Sequence, residues 1–460
     1  MGYQGLCLIL GITLIYFSYI YRLLKINLMK RIVATCCTLL VSIAVFAQNY
    51  SELSGLFQNS TVLNKHYVGF SLYDLSNKQF VYGQNEDKHF TPASNTKVFT
   101  LYTALKLIGD SIPGLAYVER GDSLIFWGTG DPTFLHAKFK DAKVFNFLKD
   151  SKKQLYYAAT KSQEPFYRNG WSVEDYEYYY QPEVSVLPMY GNVILFKEQA
   201  GKLELTPRYF DRYLSYKQDT TSRFLIHRDY GSNVMDYNSV PLPKGYINEK
   251  PFHVTDSLLV NLLQDTLKKS VALLHAPLAS DAKIIYSVKT RDVVREMMLP
   301  SDNFLAEQLN MVASFVKNRA FHTKSLRQHM QDEFYRFFPD TIELRDGSGL
   351  SSYNKITPRS MVTLLNWIHS DIPNEADKFY LFPAGGLEGT LKNVYPTPGG
   401  KPYVWAKTGT INSVHCQSGY IVTKKGSRFA FSFLNNNFLG SASPVRKEMV
   451  KIVNYIYENY

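Results

Sequence analysis

The strongest constraint on this chain is that its most strand-like segments stand at opposite ends. Residues 67–85, YVGFSLYDLSNKQFVYGQN, alternate aromatic or β-branched residues with small or polar ones around Ser76-Asn77-Lys78, which is a hairpin pattern. Residues 403–411, YVWAKTGTI, and 418–436, SGYIVTKKGSRFAFSFLNN with a turn at Lys425-Gly426, supply three more strands, and SPVRKEMVKIVNYIYENY closes the chain as an amphipathic helix. Two strands from one end and three from the other predict a single five-stranded antiparallel sheet flanked by helices, an α+β fold that needs both ends.

The middle differs in character. From 111 to 285 the chain is rich in tyrosine and short strand-like runs, for example NGWSVEDYEYYYQPEVSVLPMYGNVI, with no sustained helical period until TDSLLVNLLQDTL. The predicted organisation is a catalytic domain from 48–110 plus 286–460, carrying an inserted, mostly-β accessory region at 111–285.

Directly after the first hairpin, TPASNTKVFTLYTALKLIG places Ser94 at a helix start and Lys97 one turn along, with apolar positions keeping helical spacing up to Gly109. A serine hydroxyl is a weak nucleophile until a base takes its proton, and a lysine at i+3 is within reach. That lysine must be neutral, so its proton affinity has to fall by about 3 pKa units, at a cost of about 4 kcal/mol, through burial or nearby positive charge. Ser-x-x-Lys alone is common: Ser280/Lys283, Ser314/Lys317 and Ser352/Lys355 match it too, and for any one of them a solvated lysine is the simplest explanation. Ser94 is distinguished by two downstream motifs in a fixed order, Ser301-Asp302-Asn303 and then Lys407-Thr408-Gly409. The Ser94 motif opens a helix, SDN falls in a helix-compatible stretch, and KTG ends or interrupts a strand. This trio is a known signature of penicillin-binding proteins and class A β-lactamases. Singly, SDN reads as an N-cap and KTG as a strand end with a close backbone approach.

With these motifs the chain resembles the class C penicillin-binding proteins, D-alanyl-D-alanine carboxypeptidases and endopeptidases with a large insert between the first two motifs. The resemblance runs through PASNTKVFT, GTGDPTF (128–134), YYYQPEVSVL (178–187), SDNFLAEQL (301–309), DGSGLSSYN (346–354), PAGGLEGTL (383–391) and AKTGTINSVHCQSGY (406–420), covering essentially all of the chain after its first 47 residues. The 206 residues between Ser94 and Ser301 exclude a compact β-lactamase layout. The resemblance implies an acyl-enzyme on Ser94 with Lys97 as its base. Ser301 would pass a proton to the leaving amine, and Asn303 would hold the substrate amide and Lys97. Lys407 would keep the site electropositive and help hold Lys97 neutral, Thr408, Gly409 and Thr410 would bind the terminal carboxylate, and the backbone N–H groups of Ser94 and Thr410 would form an oxyanion hole. The implied partners are peptidoglycan peptides ending in D-Ala-D-Ala or cross-linked through D-Ala, with β-lactams as covalent inhibitors. A β-lactamase, or a non-catalytic wall-binding or β-lactam-sensing protein, is the alternative on the same scaffold; no glutamate stands where a β-lactamase would need one after SDN.

Other features carry less. DGSGLSSYN reads as a turn beside the cleft and GTGDPT as a turn in the insert, without the Gly-Lys-Ser/Thr of a phosphate loop. The ten histidines show no paired metal-ligand spacing, so no metal or cofactor is expected. His415 and Cys416 lie just past the third motif, but Cys416 is expected to pack inside. The tyrosines at 176–180 are expected in a β-rich core rather than stacked on sugars. The formal charge of +11 owes about a third to Arg22, Lys25, Lys30 and Arg31 in residues 1–47, which hold no acid; the remainder is dispersed, arguing against a nucleic-acid partner. From Met29, MKRIVATCCTLLVSIAVFAQ has the layout of a secretory signal peptide over 29–47, which leaves 1–28 as an upstream extension of doubtful origin or, alternatively, part of an N-terminal membrane anchor. Cys7, Cys36 and Cys37 fall in that leader, leaving Cys416 without a disulfide partner in an exported, periplasmic or cell-envelope protein.

Overall fold

The computed structural model describes residues 51–160, 164–218, 221–396 and 398–460. The expected leader, with its signal peptide and three cysteines, lies outside the described residues. Strands Tyr67–Asp74 and Gln79–Gln84 form the expected hairpin, its turn held by the Asp74 carboxylate, which accepts from the N–H groups of Ser76 (2.8 Å) and Asn77 (2.9 Å). They complete one five-stranded antiparallel sheet in the order Val404–Ile411, Val414–Val422, Arg428–Asn436, Tyr67–Asp74, Gln79–Gln84. Tyr67 pairs with Asn436 and Asp74 with Phe429, so the first strand lies against the last and both chain ends are locked into one sheet.

The sheet is covered on both faces, which explains why its inner strands are buried almost throughout rather than on alternate residues. On one face the C-terminal helix Ser443–Asn459 buries Val445, Met449, Ile452, Val453 and Ile456 against Phe70, Phe431 and Phe433. On the other, helices Lys97–Leu107, Thr290–Met298, Asn303–Asn318 and Pro358–Asp371 share a core with Cys416, Tyr420 and Leu434. The Tyr420 hydroxyl donates to the Leu365 carbonyl at 2.8 Å, tying sheet to helix. Helix Asn303–Asn318 is buried continuously from Phe304 to Phe315, and it is the element on which the two halves of the molecule meet.

The intervening region forms a second five-stranded sheet, ordered Val271–His275, Gln154–Ala159, Ser123–Trp127, Ser111–Arg120, Lys283–Lys289, parallel across its first three strands and antiparallel beyond. Two three-stranded sheets and the helices Lys143–Asp150 and Asp256–Leu267 accompany it. Strand Lys283–Lys289 continues past residue 285, so the expected end of the insert falls inside a strand. The GTGDPT turn docks this region: Gly130 (φ +82°) packs on Met311, and its carbonyl accepts from Gln308 Nε2 at 2.8 Å.

One expectation fails here. Residues 171–190 form no strand, and the tyrosines at 176–180 stay out of the core, although Val184, Leu187 and Met189 beyond them are buried. A 3-10 turn at Val173–Asp175 and irregular backbone carry the chain across helix Asn303–Asn318, and Tyr178 and Tyr179 stay exposed. The backbone of this segment bonds to helix side chains instead of a neighbouring strand: Ser185 N–H donates to Gln308 Oε1 (3.1 Å) and its carbonyl accepts from Gln308 Nε2 (2.9 Å).

Candidate active site

Ser94 sits in a strained approach to its helix. Ala93 has φ +46°, which a Cβ-bearing residue adopts only under compulsion, and a 3-10 turn at Ala93–Thr96 then feeds the helix Lys97–Leu107. Two glycines let neighbours close on this turn. A Cβ on Gly349 would lie 1.9 Å from the Ala93 carbonyl oxygen, and one on Gly409 would lie 2.7 Å from the Ser94 nitrogen. The Lys407-Thr408-Gly409 motif therefore runs inside the strand Val404–Ile411, paired with Ser418, Gln417 and Cys416, rather than ending it. It is the edge strand of this sheet, bridged on its outer side only by Ala384 to Trp405, and the turn carrying Ser94 packs over it at Gly409.

The Lys97 amine is fully buried and has three partners: Ser94 Oγ at 3.0 Å, Asn303 Oδ1 at 2.6 Å and the Ser348 carbonyl at 2.6 Å. The Asn303 amide is oriented by the Tyr180 carbonyl, which can only accept, from Nδ2 at 2.9 Å. Two of the lysine's three neighbours are thus obligate acceptors. A neutral amine satisfies them with its two N–H bonds and keeps its lone pair for the hydroxyl of Ser94, which is the arrangement of a base beside a nucleophile.

Ser301 has φ +67° and is pinned by the cap next to it: Asp302 accepts from Leu305 N–H at 3.0 Å and pairs with Lys138 of the insert at 3.0 Å. Its hydroxyl meets the Lys407 amine at 2.8 Å, and that amine also reaches the Thr408 carbonyl at 2.6 Å. Ser94, Lys97 and Asn303 form one contact group, Ser301 and Lys407 a second, and the edge strand holds Thr408, Gly409 and Thr410 beside both. Thr408 Oγ contacts Thr390 Oγ at 2.7 Å, and Thr410 Oγ contacts His415 Nδ1 at 2.8 Å. Burial pushes His415 down to about 4, so the imidazole is neutral. Cys416 is fully buried against the Thr91 carbonyl, and burial raises its thiol, leaving it inert.

Burial lowers Lys97 from 10.5 to about 8, against the opposing pull of Asp346, Asp302 and Glu307. Lys407 falls well below its ordinary value, first through burial and then through the charge of Lys97. Of the two expected causes, burial is the larger for Lys97, and the repulsion between the two buried lysines favours their not both carrying a proton.

Four contributors escape motif reading. The carbonyls of Tyr180 and Ser348 act through main chain, which leaves no residue-type signature. Asp346 organises the 346–354 loop by accepting from Gly349 N–H (2.9 Å), Ser351 N–H (2.7 Å), Asn354 Nδ2 (2.6 Å) and Trp171 Nε1 (2.8 Å). Glu307 accepts from Gly347 and Ser348 N–H, both at 2.8 Å, and it alone left a trace, as the single acid in an otherwise buried helical run. Among the described residues no group of three His, Cys, Asp or Glu side chains is placed to hold a metal ion, and no helix is long and apolar enough to cross a membrane.

Known proteins are similar to this chain in sequence and in fold. A model of the D-Ala-D-Ala carboxypeptidase 3 (S13) family matches residues 50–206 and 250–456, well over half of the chain. The D-alanyl-D-alanine carboxypeptidase of Actinomadura sp. strain R39 is 24% identical over 435 residues, covering 81% of this chain and 78% of that protein. The D-alanyl-D-alanine carboxypeptidase DacB of Haemophilus influenzae is 31% identical over 160 residues, about a third (32%) of each chain. Among solved structures, penicillin binding protein 4 of Haemophilus influenzae superposes with a TM-score of 0.72 at 19% identity, over 88% of this chain and 99% of that one. The same protein complexed with a β-lactam superposes at 0.66 and 18% identity, over 89% and 99%.

Proposed function

The chain belongs to the D-Ala-D-Ala carboxypeptidase 3 (S13) family of serine peptidases, and on that premise we propose that Ser94 is its nucleophile and that it hydrolyses D-Ala-D-Ala-type bonds of peptidoglycan in the cell envelope after export. The observation that carries this reading is the Lys97 amine, buried, 3.0 Å from Ser94 Oγ and otherwise surrounded by obligate acceptors. Ser94 Oγ attacks the carbonyl between the terminal D-alanines as its proton passes to Lys97. The tetrahedral oxyanion is met by the N–H groups of Ser94 and Thr410, where one such donor is worth about 3–4 kcal/mol. Collapse breaks the C–N bond, and the proton held by Lys97 is relayed to the departing amine through Ser301, which gives up its hydroxyl proton as it takes that one up and stays neutral beside Lys407. Water then releases the acyl group, returning the Ser94 hydroxyl.

Carboxylate recognition falls to Lys407, Thr408 and Thr410 along the edge strand. The Haemophilus relative binds a β-lactam; a β-lactam offers an electrophilic carbonyl and a carboxylate in the same molecule, so we expect acylation of Ser94 by penicillins. The carboxylate of Glu307 is committed to Gly347, Ser348 and Arg168, which argues against its activating a deacylating water as a β-lactamase requires. The test is release of D-alanine from a synthetic peptide ending in D-Ala-D-Ala, compared with penicillin turnover. Release of D-alanine with slow drug turnover sustains the reading; no release with fast drug hydrolysis replaces it with a β-lactamase.

A further inference from the structure

The insert reaches the catalytic lysine through a buried ionic chain that the mechanism does not use directly. Arg168, from the irregular stretch of the insert, is 6% exposed and pairs with Glu164 (2.6 Å) and Glu307 (3.0 Å). Glu164 in turn accepts from the N–H and hydroxyl of Thr323, both at 2.6 Å, so the arginine is held from two sides. Glu307, 1% exposed on the helix that begins with Asn303, gives one oxygen to Arg168 and the other to the N–H groups of Gly347 and Ser348. The next group along that backbone is the Ser348 carbonyl, 2.6 Å from the Lys97 amine. Those two N–H groups belong to the two peptide planes before the Ser348 carbonyl, and the plane that carries this carbonyl has its own N–H, of Gly349, held by Asp346 at 2.9 Å, so Glu307 anchors the segment from which the carbonyl reaches Lys97.

We propose that Glu307 and Arg168 are a positioning pair through which the insert holds the Ser348 carbonyl against Lys97. The proposal rests on Lys97 being the base of Ser94. Glu307 supplies the two backbone bonds and a negative charge near the amine; Arg168 clamps the carboxylate and offsets that charge. Buried ion pairs of this kind are costly to desolvate, and breaking one partner leaves an uncompensated charge. Here that charge has a reporter, because Lys97 is close enough to feel it. The other charged groups around Lys97 are Asp302 at the start of the same helix, Asp346 in the 346–354 loop and Lys407 on the edge strand, with Lys138 behind Asp302 and Arg327 facing Glu307.

The two single substitutions act in opposite directions. Removing the anion in Glu307→Gln, which keeps shape and the acceptor oxygen, weakens the hold of Lys97 on its proton; removing the cation in Arg168→Met leaves Glu307 unopposed and strengthens it. The experiment is the rate of acylation of the full chain by a fluorescent penicillin between pH 6 and 10, with folding checked by circular dichroism. Glu307→Gln should move the acid limb to lower pH and Arg168→Met to higher pH, each by roughly half a unit, and the plateau should fall roughly tenfold as the carbonyl is freed. The double variant should return the limb toward its original position without restoring the plateau. Limbs and plateaus unchanged in both, with only the melting temperature lowered, would overturn the proposal and leave a purely structural pair. If Arg168→Met does not fold, Arg168→Lys is read instead: a lowered plateau with an unmoved limb sustains the clamp, and an unchanged plateau overturns it. Failure of the unmodified protein to be acylated would overturn the Ser94 reading, and this proposal with it; normal acylation of the unmodified protein with limbs and plateaus alike unchanged in the variants overturns this proposal alone.

Discussion

The molecule holds two five-stranded sheets built on different rules. The first is wholly antiparallel and joins the two ends of the chain; its edge strand carries Lys407, and a 3-10 turn with Ser94 leads into the helix that Lys97 opens. The second comes from one continuous stretch, mixes parallel and antiparallel pairs, and sends to the cleft an irregular segment rather than a strand. The difference is instructive about division of labour. The reacting groups stand on the edge strand or at helix starts, while the insert contributes the Tyr180 carbonyl and the buried Arg168 that help hold them still.

The sharpest way to break this division is to remove the nucleophile. Ser94→Ala should lower D-alanine release by about 10⁴-fold or more, measured from a D-Ala-D-Ala peptide; an active variant would move the chemistry elsewhere. Next in size, Lys97→Met should cost about 10²–10⁴-fold in acylation. In the unmodified protein the base must be neutral, and with Lys97 near 8 the acylation rate should rise with pH through about 8 and then level, falling roughly tenfold per unit below it. A profile flat from pH 6 to 9 would contradict that assignment.

Smaller effects refine the boundary between the sheets. Gly349→Ala puts a methyl group on the Ala93 carbonyl at a left-handed backbone position, so stability should drop by about 1–3 kcal/mol and acylation should fall with it, as thermal melting and penicillin labelling would show. His415→Leu removes the partner of the Thr410 hydroxyl and should weaken binding of a carboxylate-bearing substrate relative to its amide by roughly tenfold, with little change for the amide itself. At the end of strand Ser111–Arg120 in the second sheet, Arg120→Ala breaks an exposed pair with Asp281 and should leave the melting temperature almost unchanged and activity intact. A large loss of activity there would erase the distinction.

Legibility in the sequence divides along the same line. The central sheet is readable because strand alternation and the hairpin at Ser76–Lys78 are local, and because only one topology lets both ends share a core. The three motifs are readable because acyl transfer needs particular side chains in sequence order. The segment 171–190 reads as strand because tyrosine-rich sequence has strand propensity, yet its backbone is satisfied by Gln308 and Asn303 of a helix. The Tyr180 and Ser348 carbonyls have no signature at all, since every residue carries one. The carboxylates at 302, 307 and 346 that oppose the effect of burial on Lys97 converge on it only in the fold, so their joint action has no sign in the sequence.

The most direct test of Ser94 as the acylated nucleophile is intact-mass spectrometry after brief exposure to a labelled penicillin, with peptide mapping of the product. One adduct per chain is predicted, on the peptide containing Ser94 and absent from Ser94→Ala. An adduct on another residue, or drug left intact with no adduct at all, would contradict it.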